Sequence, residues 1–315
     1  MGLAILAQIA HGDMDLVHQW GRIQAEAIAR RYPSIIQPGD PRESMINFQL
    51  ERGSYFNFDA VTVRAFYRNY VKLEIAYHMS PLAEQAASWQ TLGYFERLLE
   101  LSRASNIFCR FTSRSWAGDL TTILEIDWSN VTPEHQVKGI LFLDYIRMIK
   151  AKKDITWRQW LRPADLAILE ARIDENAWYP MESFERMGAA IFKQVAFNDL
   201  EEVRLWGRLS VGSLVKTNPN LVSPGEPIET LYRFQVLRRS FFNFSAIDIK
   251  ALHGNYAKLQ IEYDMGRTAE AAATYQAIGF FEQLLQLAGA QNLQANLLLR
   301  SWEGDPTTII ELKWD

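Results

Sequence analysis

The 315-residue chain repeats itself at a constant offset, and this repeat constrains its fold more than any other feature. Trp20-Gly21-Arg22 recurs as Trp206-Gly207-Arg208, an offset of 186 residues (206 minus 20). The same offset relates Phe56-Asn57-Phe58 to Phe242-Asn243-Phe244, and no gap is needed anywhere along the alignment. Because an internal repeat indicates one structural unit used more than once, we predict a tandem repeat of a single domain.

The repeat also sets the predicted domain boundaries. The first copy spans residues 1–128, the second spans 137–315, and residues 129–136 form a linker. Residues 129–186 match nothing upstream, so most of this stretch is interpreted as a helical lead-in to the second copy. A chain of 315 residues is long enough for two domains that each bury a core.

Each copy carries helical and strand patterns in the same order. In the second copy, Asp199 is a candidate N-cap, and Thr268 and Gly289 bracket a long amphipathic helix. Apolar and polar residues alternate on both sides of His253-Gly254-Asn255, which indicates a hairpin. A second hairpin begins with a strand predicted from Asn292 to Trp302. These patterns predict an α+β fold, in which helices cover a four-stranded antiparallel sheet in each repeat.

Composition excludes several classes of partner. The net charge is −4, and the densest basic run, Lys150 to Lys153, is interpreted as a solvated helix end, so nucleic acid is not an expected partner. No apolar run approaches the ~20 residues of a membrane span, and the N-terminus lacks the basic start of a secretory signal. Cys109 is the single cysteine, which excludes an intramolecular disulfide. We expect a soluble cytoplasmic protein with no membrane partner.

Patterns typical of catalysis and metal binding are missing from the sequence. There is no glycine-rich phosphate loop, and no Cys/His cluster has metal-ligand spacing. His11, Asp13, Asp15 and His18 come nearest to a metal set, but neither histidine recurs in the second copy, and a solvated helix start explains them better. No serine or cysteine has a matching base. We predict no enzyme activity, no cofactor and no bound metal.

The best retained string has the form Arg-Ser-Trp-x-Gly-Asp-x-Thr-Thr and falls in the second hairpin of each copy. In one interpretation it forms a polar and aromatic interaction site. The candidate residues of that site are Arg114, Trp116, Asp119, Arg300, Trp302 and Asp305. In the other interpretation, which we favour, the string is a structural turn whose tryptophan packs on the sheet.

Two further sets of retained residues define predictions. The phenylalanines Phe56, Phe58, Phe242 and Phe244 either line an apolar ligand cavity or pack the core. The long helix of each copy carries two retained glutamates, which are Glu84 and Glu96 in the first copy and Glu270 and Glu282 in the second. We expect them to form structural ion pairs with the retained arginines of the second hairpin.

Lys138-Gly139, Trp178-Tyr179-Pro180, the long helix from Tyr275 to Ala290 and the hairpin that ends at Trp314 follow one another in the second copy. This order resembles the ligand-binding domain shared by heme-NO-binding-like sensors, vinyl-4-reductase-like sensors and Golgi transport-complex subunits. It looks most like a myxobacterial paralogue family of that superfamily. The resemblance covers 137–315, with 1–128 as a truncated second example, and it implies the fold and a ligand-binding ancestry. Heme and zinc are not expected, because no histidine recurs between the copies and one cysteine is present.

Two functions remain open at this stage. The first is a non-enzymatic intracellular adaptor for other proteins, in signalling or regulation, which follows from a duplicated fold without visible chemistry. The alternative is a sensor that binds a small apolar ligand between helices and sheet. A cavity lined by apolar residues would favour the sensor, and a filled core beside an exposed apolar patch would favour the adaptor. The sequence leaves the oligomeric state open.

Overall fold

The structure is a computed structural model that describes residues 12–51, 60–67, 69–130 and 134–315. Its contacts divide the chain into two compact units, residues 1–130 and residues 131–315. Both ends of the predicted linker belong to strands, because one strand of the first unit ends at Ser129 and the first strand of the second unit begins at Gln136.

The first unit contains helices and one antiparallel sheet. Its described elements are, in chain order, α1 (Met14–Arg31), α2 (Pro41–Glu51), β1 (Val61–Tyr67), β2 (Tyr70–Ile75), α3 (Pro81–Leu101), β3 (Ser105–Ser113) and β4 (Thr122–Ser129). The strands pair in the order β1-β2-β4-β3, and every pairing is antiparallel. Leucines of α3 pack with inward-facing residues of β2 and β4, so this helix covers one face of the sheet.

The second unit begins with a lead-in of its own and then repeats this arrangement. The lead-in comprises β5 (Gln136–Lys138), α4 (Gly139–Ala151), α5 (Pro163–Glu170), β6 (Trp178–Pro180) and α6 (Met181–Gln194). The repeated part comprises α7 (Leu200–Thr217), α8 (Pro227–Leu237), β7 (Ile247–His253), β8 (Tyr256–Ile261), α9 (Arg267–Leu287), β9 (Gln294–Leu299) and β10 (Thr308–Lys313). Its sheet has the order β7-β8-β10-β9, and β5 pairs with β6.

The predicted fold class is confirmed, because each unit has a four-stranded antiparallel sheet packed against helices. The bounds of α7 and α9 lie 186 residues after those of α1 and α3 (200 minus 14; 267 minus 81). Among the described helices, none is long and apolar enough to cross a membrane.

Local signals at the helix ends were predicted with mixed success. Asp199 does cap α7, because its carboxylate accepts a hydrogen bond from the Glu201 amide at 2.8 Å. Gly289 takes a φ of +99°, as predicted for a residue that ends a helix. The prediction for Thr268 is wrong, because α9 begins at Arg267 and Gly266 is its N-cap. The strand predicted to reach Trp302 ends at Leu299, and a short 3₁₀ turn follows.

A close helix crossing lies at the centre of each unit, and glycines make it feasible. In the second unit, a Cβ added at Gly279 would overlap the carbonyl oxygen of Arg204, and one added at Gly207 would overlap the carbonyl oxygen of Gln276. The first unit repeats these contacts at Gly93 and Gly21. The backbones of α7 and α9, and of α1 and α3, therefore meet at distances that no residue with a side chain permits.

Ion pairs join the same helices beside the crossing. The carboxylate of Glu282 on α9 is almost buried and binds Arg204 and Arg208 of α7. In the first unit Glu96 takes the equivalent role with Arg22 and with the ring of His18, whose Nε2 lies 2.7 Å from the carboxylate. The predicted pairing of the retained glutamates with Arg114 and Arg300 is therefore wrong, since Glu84 and Glu270 likewise have other partners, which are backbone amides.

Gly279→Ala tests the crossing. We expect a loss of about 3 kcal/mol or more in the stability of the second unit, because the added methyl group forces two backbones apart. The measurement is thermal and urea unfolding of the full chain. Gly212→Ala on α7 is the matched control, since a Cβ there meets no atom within 4 Å. Alanine should leave stability unchanged or raise it by up to about 1 kcal/mol. Equal stability of the two variants would contradict this account.

Candidate ligand-binding site

A partly open cavity of about 120 Å³ lies in the second unit, between the helices and the sheet. Six phenylalanines form much of its wall: Phe184, Phe234, Phe241, Phe242, Phe280 and Phe281. Leu141, Leu214, Ile247, Ala273 and Ala277 complete the apolar lining. Ser210, Tyr263 and Gln276 are the polar residues of the wall, and no charged side chain lines it. The volume is close to that of engineered apolar cavities of ~150 Å³ that bind benzene.

Two of the polar side chains present groups without a protein partner. The hydroxyl of Tyr263 makes no hydrogen bond to any residue that the structure describes, although its ring is buried and packs on Phe242. The amide oxygen of Gln276 accepts a hydrogen bond from the Tyr145 hydroxyl at 2.9 Å, while its amide nitrogen has no partner among the described residues. Ser210 donates to the Gly207 carbonyl at 2.8 Å.

The first unit pairs the groups that the second unit leaves unpaired. At the position equivalent to Tyr263, the hydroxyl of Tyr77 lies 2.6 Å from the hydroxyl of Thr91. Ala277 stands where Thr91 stands in the first unit, so Tyr263 has lost this partner. The Gln90 amide likewise donates to Gln24 at 2.7 Å.

Ser210 replaces Gln24 in the second unit and removes the acceptor of the glutamine amide. At both positions that supply the polar partner in the first unit, the second unit therefore has a smaller side chain, and the two groups of its cavity wall are unpaired among the described residues.

Burial keeps the tyrosines of this region neutral. Desolvation raises the pKa of Tyr263 and of Tyr145 well above the ordinary value for tyrosine, and nearby carboxylates add to the rise. Both hydroxyls therefore keep their protons in any physiological medium. The Tyr263 hydroxyl is available as a hydrogen-bond donor to a molecule in the cavity.

Two buried carboxylates hold the start of α9, which follows Tyr263 of the cavity wall in the chain. Glu270 accepts a hydrogen bond from the Met265 amide at 3.1 Å, and Glu185 of α6 accepts one from the Gly266 amide at 2.8 Å. Burial raises the pKa of Glu270 to about 8, and the charges of Asp264 and Glu185 add to this rise while backbone hydrogen bonds oppose it. Glu84 accepts the equivalent backbone bonds in the first unit, from Tyr77 at 3.0 Å and Met79 at 3.1 Å.

The predicted phenylalanines occupy different environments. Phe242 lines the cavity, as one interpretation of the sequence proposed. Phe244 is not part of the wall, because its ring stacks on His135 with centroids 4.2 Å apart. Phe56 and Phe58 lie outside the described residues. Tyr263, Gln276 and Ala277 were missed, and the signal that points to them is a difference between the copies, Thr91 against Ala277.

The retained string of the second hairpin forms a turn that satisfies its own polar groups. The carboxylate of Asp305 accepts the Arg300 amide at 2.6 Å, and the hydroxyls of Ser301 and Thr308 lie 2.8 Å apart. Gly304 has a φ of +113°, which favours glycine. These contacts give a structural reason for the retention of the string.

The turn explains the positions of only some side chains of the predicted interaction site. In the first unit Asp119 accepts the Arg114 amide at 2.6 Å, and Trp116 packs edge-on against Phe111 at 5.1 Å. In the second unit the Trp302 carbonyl accepts a hydrogen bond from Arg267 at 2.9 Å. A role of these residues in binding a partner stays a prediction.

The pH dependence of stability tests the environment of Glu270. Its pKa is about 8 in the folded chain against 4.5 as the reference, so the folded state retains a proton that the unfolded state releases. The contribution of Glu270 is full below pH 4.5 and is lost as the pH rises toward 8. We expect the melting temperature of the second unit to fall over this window.

Glu270→Gln should flatten that fall, because glutamine has no proton to release. Glu84→Gln, the equivalent change in the first unit, should leave the slope of the second unit unaltered. Parallel profiles for wild type and Glu270→Gln would contradict the assigned environment.

The part of the chain that the structure describes contains no group of three or more His, Cys, Asp and Glu side chains placed to hold a metal ion. The sequence matches no protein-family model and no curated protein. The cavity of the second unit is the candidate site on which a function rests.

Proposed function

We propose that the second unit binds a small, uncharged and largely apolar molecule in its cavity, and that the chain acts as a non-enzymatic intracellular sensor of that molecule. The observation that carries this proposal is the hydroxyl of Tyr263, which makes no hydrogen bond to the described residues and lies in a mainly apolar wall. A polar group that loses contact with water and gains no partner costs about 1–3 kcal/mol. A ligand with a hydrogen-bond acceptor offsets this cost when it occupies the cavity.

The chemistry of the wall limits the ligand class. An ion moved from water into an apolar site requires a partner of opposite charge, and no charged side chain lines this cavity. The volume of about 120 Å³ suits a single small ring. A neutral ring with one carbonyl or hydroxyl group matches these conditions, with Tyr263 as donor and the Gln276 amide as a second donor.

Membership of the ligand-binding superfamily that residues 137–315 resemble belongs to the same proposal. Its support is the position of the cavity between helices and sheet. The first unit is not proposed to bind the same ligand, because the contacts between Tyr77 and Thr91 and between Gln90 and Gln24 pair the equivalent polar groups.

Binding of two probes to Tyr263→Phe tests the proposal. Benzene tests the apolar wall, and cyclohexanone adds one acceptor for the tyrosine hydroxyl. We expect wild type to bind both, and the variant to bind cyclohexanone about fivefold more weakly while its affinity for benzene is unchanged. Ligand-observed NMR and thermal shift measure both affinities.

Two variants derived from the repeat serve as controls. Ala277→Thr restores the residue of the first unit, and its side chain should pair with Tyr263 and displace both probes. Tyr77→Phe makes the equivalent change in the first unit and should alter neither affinity. Absence of binding to wild type, or equal losses in Tyr263→Phe and Tyr77→Phe, would overturn the assignment.

A second candidate is the adaptor function, and exposed apolar residues on equivalent helices support it. Leu205 and Leu209 lie one turn apart on α7, and Leu209 is 69 % exposed. Ile23, at the position of α1 equivalent to Leu209, is 58 % exposed. A photo-crosslinking residue at position 209 should capture a partner protein in cells, while the same residue at exposed Glu202 should not. Equal capture at both positions would remove the support for this candidate.

A further inference from the structure

A basic surface lies at the connection between α4 and α5, outside the repeated part of the fold. We define it by Lys150, Lys152, Lys153, Arg158, Arg162 and Trp160, all of which are exposed. Asp154 is the one acidic residue among residues 150–162. The sequence alone indicated a solvated helix end at the lysines, and the same exposed segment also carries two arginines and a tryptophan.

The segment that carries these cations is anchored to the core of the second unit. The indole N–H of Trp157 donates a hydrogen bond to the Lys152 carbonyl at 3.1 Å, and this ring packs against the core of the second unit. Leu161 is buried in the same core. Trp160, between these two anchors, is 39 % exposed. Core packing therefore accounts for Trp157 and Leu161 and does not account for Trp160.

The described residues do not neutralise the charges of the basic surface through salt bridges. None of its five cations forms a salt bridge with a carboxylate of the described residues, whereas Arg147, on the preceding turn of α4, pairs with Asp144 at 3.0 Å. A sixth cation reaches the surface from α6, because Lys193 Nζ lies 5.8 Å from the ring centroid of Trp160. Residues 150–162 thus carry five cations without a salt bridge among the described residues, together with a partly exposed aromatic ring.

We propose that the basic surface binds the protein to an anionic phospholipid membrane. Lysine and arginine near an anionic bilayer each contribute favourable electrostatic free energy, and tryptophan favours the interface between headgroups and acyl chains. Single-stranded nucleic acid is generally held by several stacking rings along a basic groove, and the surface offers one exposed ring. The proposal replaces the sequence-based expectation of no membrane partner and is independent of the cavity.

Vesicle cosedimentation of the full chain tests this proposal. Wild type should bind vesicles of phosphatidylcholine with a third phosphatidylserine, should not bind pure phosphatidylcholine, and should lose affinity as salt is raised. Lys152→Gln/Lys153→Gln removes two charges and should weaken binding about 30-fold, at ~1 kcal/mol per charge. Trp160→Ala should weaken the binding that persists at high salt. These side chains are exposed, so unchanged melting temperatures verify folding.

Arg30→Gln/Arg31→Gln is the matched control, because it removes two exposed charges from the end of α1 in the first unit. Its affinity for anionic vesicles should equal that of wild type. No binding of wild type to anionic vesicles, or an equal loss in the control, would overturn the proposal. Binding to a DNA oligonucleotide through the same lysines, without binding to vesicles, would assign the surface to nucleic acid and would also overturn it.

Discussion

The close contact between two helix backbones is the constraint on which each unit depends. Gly207 and Gly279 bring α7 and α9 together, and the ion pairs of Glu282 close the same interface from its polar side. Since α9 packs against α7 on one face and against the sheet on another, the crossing sets the position of the face that meets the sheet. Ser210 and Gln276 stand beside the crossing and line the cavity, so the same contact positions the polar part of the candidate site.

Both units contain this helix crossing, and the candidate site lies where their side chains differ. Tyr77 and Tyr263 occupy equivalent positions, but Thr91 completes a buried polar pair in the first unit and Ala277 leaves a hydroxyl facing a cavity in the second. The lead-in also contributes, because Leu141 and Phe184 form part of the wall and have no counterpart in the first copy. A retained backbone with altered side chains is how one fold supports different functions.

The sequence predicted the order of the elements because two aligned copies report the same pattern twice. Asp199 and Gly289 were recognised because caps act within a few neighbouring residues. The N-cap of α9 at Gly266 was missed, because the buried carboxylates of Glu270 and of the distant Glu185 satisfy backbone amides there. The partners of Glu282 depend on which helices cross, and periodicity along one helix does not contain that information. Residues shared by the two copies predicted their common helices and strands. The cavity depends on positions at which the copies differ, so the repeat did not predict it.

A cavity makes the folding of the second unit sensitive to its chemical surroundings. A closed cavity costs about 24 cal/mol per Å³, so about 3 kcal/mol relative to a filled core is the upper limit for this partly open space of about 120 Å³. A ligand at a hundred times its dissociation constant restores a similar amount, about 3 kcal/mol. Under the proposed function, the concentration of a small neutral ligand sets how stably the second unit is folded, and the small side chain of Ala277 leaves space for that ligand.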